Sequence, residues 1–322
     1  MTIDEQVTKY LTDAHSIEEQ ALQQLRAAPD IAGDPTLAEI FRTHLVETEG
    51  QERLVRECLE ARGAAPSTVK DVVMKAGGAG FVLFARSQPD TPGKLAAHAF
   101  SYEHLEIGAY ELLKRVARRA GDERTREAAE RILAEERAMA LRLAAAFDRA
   151  VEASLRDVDP DELSEQLVTY LADAHAIEAQ AIQLLLRAAR IGGDPDLELL
   201  YDDHLTETRD QQRAIEARLD AHDASPSRIR DAAMRLGGLN WSLFFQAQPD
   251  TPGKLAAFAY AFEHLEIGGY EELRRVAERA GDAETVAAVE RILLQERAMA
   301  TRVAGAFDRA ADASLEAVGV TR

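Results

Sequence analysis

The stretch TPGKLAAHAFSYEHLEIGAYELLKRVARRAGD, residues 91–122, reads as one long helix that carries two glutamates inside its apolar face. Thr91-Pro92 supplies a start, with proline at the first helical position, and Gly121-Asp122 supplies a stop and the cap of the next helix. Residues seven apart share a helix face. Glu106 lies between Ala99 and Leu113 at that spacing, with Glu103 one turn away on the same face. The pattern then returns 160 positions later as TPGKLAAFAYAFEHLEIGGYEELRRVAERAGD, residues 251–282, with Glu263 and Glu266 in the same places.

The duplication runs through the whole chain. His15-Ser-Ile-Glu18 returns as His175-Ala-Ile-Glu178, His44-Leu-Val-Glu47-Thr48 as His204-Leu-Thr-Glu207-Thr208, and Glu136 as Glu296. Asp34-Pro35 and Asp194-Pro195 each follow a glycine and open an apolar-periodic run, which reads as a glycine stop, an aspartate cap and a proline first turn. Asp159-Pro160 opens the second half by the same rule, so the domains are expected at 1–158 and 159–322. Helices are predicted near 3–28, 35–62, 92–120 and 123–155, and again in the second half. A longer stretch, 63–91, separates the second and third; it holds Pro66, Gly77-Gly78 and Phe81-Val-Leu-Phe84, with Gly237-Gly238 and Trp241-Ser-Leu-Phe-Phe245 as its counterpart, and a short helix is expected there. Short outer connections around a long middle one predict an all-α chain: two ferritin-like antiparallel four-helix bundles in tandem, each with a long crossover between its second and third helices.

Composition narrows the function classes. At 322 residues and 46% hydrophobic content, the chain has material for two full cores. Cys58 has Arg218 as its counterpart and no internal partner for a disulfide, which fits a reducing cytoplasm. The opening MTIDEQVTKYL lacks a basic segment followed by an apolar one, so no signal peptide is expected, and no apolar run reaches the ~18 residues of a membrane span. A net charge of −19 argues against nucleic acid as a partner; it fits a protein that attracts cations, although solubility is the simpler account. No P-loop, dinucleotide fingerprint or nucleophile triad opens another enzyme class.

The acids carry the chemistry. Glu18 lies between Leu11 and Leu25, Glu47 between Ile40 and Leu54, and Glu136 between Ala129 and Leu143; Glu178 and Glu296 are flanked in the same way in the second half. Counted from the turns, Glu18 lies about 13 residues before the first and Glu47 about 16 after it, while Glu106 and Glu136 each lie about 15 from the turn at Gly121. At ~1.5 Å per residue these positions agree within about one helical turn. Four buried carboxylates at one level repel one another, and two divalent cations would neutralise them. His44, one turn from Glu47, joins them. The expected ligands are Glu18, His44, Glu47, Glu103, Glu106 and Glu136, with Glu178, His204, Glu207, Glu263, Glu266 and Glu296 in the second copy. His15 and His175 are further ligands or partners of ligands, whereas His104 is turned about 100° from Glu103 and belongs outside the group. Tyr110 and Tyr270, four residues after the helix-three glutamates, are packed aromatics that could also hydrogen-bond to a ligand or carry a radical. Glu19, Glu49, Glu135 and His98 are replaced in the other copy by Ala179, Arg209, Gln295 and Phe258, so none is expected to be essential. The competing reading is a metal-free polar core in which the acids pair with histidines and with Arg137 or Arg53.

The stretches DAHSIEEQ, HLVETEGQ, TPGKLAAHAFSYEHLEIGAYELLKRVARRAGD and ILAEERAMA, with their second copies, make both halves resemble the YciE/YciF-like bacterial ferritin-like proteins, which are associated with stress responses. The resemblance covers almost the whole chain. It implies an antiparallel four-helix bundle, a di-iron site and a pairing of two bundles, here built into one polypeptide as a pseudo-dimer with further oligomerisation left open. The sequence departs from the general di-iron pattern of Glu-x-x-His on two helices: helix two has His-x-x-Glu, and helix four places Leu133 and Met139 either side of Glu136. So carboxylate-rich a site leaves the metal open, since oxygen-rich sites also suit manganese and magnesium. The expectation is two Fe or Mn ions per bundle and ferroxidase-like or peroxide- or O2-consuming, stress-protective activity. An oxygenase or oxidase acting on an organic substrate, its cavity lined by the crossover aromatics, and a metal-free structural bundle are the alternatives.

Overall fold

The computed structural model describes residues 2–66, 91–226 and 250–320. Helix α1 spans Ile3–Ile31, α2 Pro35–Ala61, α3 Thr91–Ala120 and α4 Glu123–Ser154; a 3-10 turn at Pro160–Glu162 precedes α5 Leu163–Ile191, α6 Pro195–Ala221, α7 Thr251–Ala280, α8 Ala283–Gly305 and α9 Phe307–Ala317. The chain forms two compact units, one built on residues up to Arg156 and the other on Asp157–Val318. The described residues contain no strand, and no described helix is long and apolar enough to cross a membrane. The crossovers, with Phe81, Phe84, Trp241, Phe244 and Phe245 and the short helix expected there, lie outside the described residues.

Within the first unit each helix packs against two others: α1 on α2 and α3, and α4 on α2 and α3. Contacts at the two ends give the directions. Gly33, at the α1–α2 turn, abuts Pro92 at the start of α3, and Ser154 at the end of α4 accepts a hydrogen bond from the Gly93 amide at 2.9 Å. At the other end, Arg62 after α2 reaches Asp4 at the start of α1 and Asp122 at the cap of α4. Adjacent helices are therefore antiparallel and the diagonal pair α2 and α3 is parallel, which is the ferritin-like crossover arrangement. The second unit repeats it: α5 packs on α6 and α7, and α8 on both of those.

The helix boundaries follow the predicted punctuation with physical exceptions. Asp34 caps α2 by accepting from the Thr36 and Leu37 amides, and Asp194 does the same for α6. Gly33 sits at φ +68°, and a Cβ there would come 2.6 Å from Pro92 Cγ, so both the backbone and the neighbour demand glycine. Asp159 makes no capping bond; Pro160 starts only a single i to i+3 turn, and α5 begins at Leu163. Helix α7 begins at Thr251 with Asp250, rather than the threonine, in the capping position. Helix α1 runs through Pro29 to Ile31, since a missing amide in the last turn costs one hydrogen bond without ending the helix. The fourth helix of the second unit is broken after Gly305, where the first unit has Ala145.

Candidate metal centre

Three helices bring His44, Glu103, Glu106 and Glu136 together, with ligand-type atoms all within 4.8 Å of one another. None is more than 3% exposed. His44 Nε2 lies 3.1 Å from Glu103 Oε2 and 3.6 Å from Glu136 Oε2. Glu103 Oε2, Glu136 Oε2 and both oxygens of Glu106 lack a hydrogen-bond partner. From α1, the fully buried Glu18 stands beside the group; one of its oxygens accepts from the Tyr110 hydroxyl and the other has no partner. Among the described residues no lysine or arginine bonds Glu18, Glu103, Glu106 or Glu136. Arg137 reaches Glu111 instead.

So many unsatisfied buried oxygens are rare in a stable core, because each forfeits its hydration without compensation. Their protonation reflects that cost. Burial pushes the Glu18 carboxyl up to about 8, against the pull of the Tyr110 hydrogen bond and of His44. Burial and then the facing Glu136 hold Glu106 well above the carboxylate range; burial and then Glu103 do so for Glu136. Burial opposes a charge on His44, but Glu103 beside it holds the imidazole well above its ordinary value. The pocket keeps protons where it has no other cation.

The second unit repeats the constellation with His204, Glu263, Glu266 and Glu296. His204 Nε2 is 3.1 Å from Glu263 Oε1, Tyr270 donates to Glu178, and burial pushes Glu178 up to about 8. Glu178 Oε2, Glu263 Oε2, Glu296 Oε2 and both oxygens of Glu266 lack partners, as their counterparts do. These buried clusters could hold metal ions: the donors are hard oxygens plus one imidazole nitrogen, and their unpaired atoms converge.

The buried stripe of α2 explains where the remaining candidates fall. It runs through Leu37, His44, Gln51 and Cys58, seven residues apart, whereas Ile40, Glu47 and Leu54 form its half-exposed shoulder. Glu47 is accordingly not brought into the cluster. Its Oε2 accepts from His44 Nδ1 at 2.9 Å and Arg142 grips both of its oxygens. Against a burial cost, His44 and Arg142 bring its carboxyl down to about 2. Glu207 holds the matching shoulder position, 3.5 Å from His204 Nδ1. The heptad count finds apolar neighbours for Glu47 but does not distinguish a stripe from its edge.

The same count taken from His44 would have found Gln51. Its amide donates to Glu136 Oε1 at 2.5 Å and to Glu135 Oε2 at 3.1 Å, and Gln211 donates to Glu296 in the second unit. Thr48 and Thr208 bond back to the carbonyls of His44 and His204 at 2.9 Å. His15 turns to Glu52 at 2.9 Å, which Arg56 also holds, and with Glu19 these form a separate ligand-type group. His175 instead pairs with Glu216 at 3.0 Å, because Gln212 replaces Glu52 and Glu216 replaces Arg56 one turn on. His104 donates from Nδ1 to the Phe100 carbonyl at 2.7 Å, outside the cluster.

No solved structure matches the chain. A family model described as a domain of unknown function, DUF892, matches it twice, over residues 2–156 and 162–316. The chain belongs to this DUF892 family, as two tandem copies of its domain.

Proposed function

We propose that each bundle is a non-haem di-metal carboxylate centre, holding two iron or manganese ions, and that the protein consumes O2 or peroxide in ferroxidase-like, stress-protective chemistry. The observation that carries this is the twice-built cluster of buried carboxylates around one histidine, several of whose oxygens have no hydrogen-bond partner. The resemblance to YciE/YciF-like ferritin-like proteins supports it. Glu18, Glu103, Glu106 and Glu136 offer oxygens, and His44 offers Nε2; Glu178, Glu263, Glu266, Glu296 and His204 do so in the second bundle. Four carboxylates balance two divalent ions. Redox-active ions would supply the electrons for reducing O2 or peroxide. Tyr110 steadies Glu18, Gln51 steadies Glu136, and Glu47 holds His44 from behind. In this reading the chain is a cytoplasmic protein that carries two such centres, one in each half.

Mass spectrometry of metal content tests the reading, on tag-free protein from cells supplied with iron and manganese. About four ions per chain are expected, two per bundle. No bound metal, with melting unchanged on adding Fe(II) or Mn(II), would overturn it in favour of a structural bundle.

A further inference from the structure

The two centres share one ligand set, yet their histidines are held differently, and an exposed position beside each histidine differs between them. In the first unit, Arg142 Nη1 donates to Glu47 Oε1 at 3.0 Å and Nη2 donates to Oε2. Glu47 in turn accepts from His44 Nδ1 at 2.9 Å. This relay turns Nδ1 toward Glu47 and leaves Nε2 facing Glu103 and Glu136. The second unit has the same three residues, Arg302, Glu207 and His204. There, however, Asp203 stands where the first unit has Thr43, and Arg302 Nη2 turns to Asp203 Oδ2 at 3.2 Å. Glu207 is held less closely: its side chain is 40% exposed, against 27% for Glu47, and it stands 3.5 Å from His204 Nδ1, against 2.9 Å between Glu47 and His44. The deeper contacts, Tyr270 to Glu178 and Gln211 to Glu296, match those of the first unit.

We infer that Asp203 makes the two metal centres of this chain unequal: it draws Arg302 away from Glu207, lengthens the contact that steadies His204 at Nδ1, and so weakens divalent-metal binding in the second bundle relative to the first. The inference rests on the di-metal reading. A carboxylate behind a ligating histidine fixes its tautomer and ring angle and raises its basicity, and losing such a partner typically costs about 10–100-fold in metal affinity. Glu47 and Glu207 are thus positioning residues, and Thr43 and Asp203 set how firmly they position.

The test uses full-length protein with one centre silenced by isosteric amides. Glu106→Gln with Glu136→Gln leaves the second centre, and Glu266→Gln with Glu296→Gln leaves the first. Calorimetric titration with Mn(II), and with Fe(II) under anaerobic conditions, should show the first centre tighter by about tenfold or more. Asp203→Thr should tighten the second centre by a similar factor, and Thr43→Asp should weaken the first. Both positions are exposed, and circular dichroism checks that the helices are intact. Equal affinities, a tighter second centre, or an Asp203→Thr variant that leaves affinity unchanged would overturn this inference alone. No binding at either centre would overturn it together with the metal reading.

Discussion

Glu106 is the residue at which the conflict between stability and chemistry is sharpest. Both of its oxygens are buried and unpartnered, and it faces Glu136 across the bundle. An amide of the same shape keeps the packing and removes the charge that burial and Glu136 penalise. In metal-free protein, Glu106→Gln combined with Glu266→Gln should therefore melt no lower than the parent at pH 7. At pH 9 it should gain stability on the order of 1–3 kcal/mol per centre, the scale of an uncompensated buried polar group. Metal content should fall to background in the same variant. Thermal melts after chelation, paired with metal analysis, check both halves of the expectation; an acid kept for structure would give the opposite sign, a lower melting temperature in the amide variant.

At the scale of the element, one glycine has divided a helix. Helix α4 runs unbroken to Ser154, whereas the equivalent segment stops at Gly305 and resumes at Phe307, with the Ala306 amide bonded to Val303 at three-residue spacing. Glycine costs about 1 kcal/mol relative to alanine inside a helix, and nothing lies within 4 Å of a Cβ built at position 305. Gly305→Ala should rejoin α8 and α9 and stabilise the second unit by about 0.5–1 kcal/mol, read from urea melts; a loss of stability would mean that the break relieves strain elsewhere. The elements themselves were largely legible in the sequence. Gly33-Asp34-Pro35 and Gly121-Asp122 encode their turns through local chemistry that tertiary packing does not override. Asp159-Pro160 misled because a cap and a proline license a first turn without obliging the helix to continue. The burial of an acid was legible where its whole stripe is buried, as at Glu18 and Glu136. It was not legible at Glu47, where Arg142, 95 residues away, decides which way a shoulder side chain turns.

For the whole molecule, the buried acids give the metal-free protein an unusual dependence on pH. Glu18 and Glu178 titrate near 8 in the fold, against 4.5 for the free side chain. A carboxyl whose folded value is raised lends its stability in full below the free value and loses it as pH climbs through the folded one. Glu106, Glu136, Glu266 and Glu296 are shifted in the same direction. Glu47, held near 2, acts oppositely, and its contribution fades only as pH falls from about 4.5 toward 2. The chelated protein should therefore lose stability steadily from about pH 5 to pH 8. Mn(II) added at pH 8 should restore it and release protons, since ligands must be deprotonated to bind. Calorimetric melts across that window decide the matter; a melting temperature that rises between pH 5 and 8 without metal would contradict the buried cluster.

The exchange of partners around His15 and His175 has a consequence for the gene. One half encodes Glu52 with Arg56, the other Gln212 with Glu216. A recombination tract that copied only the first codon of the second half into the first would replace the acid that His15 bonds with an amide, leaving Glu19 beside it. A tract copying only the other would set two glutamates one turn apart on the same helix. The two codons are thus coupled: in each half the acid that its histidine bonds is set by a pair of positions one helical turn apart.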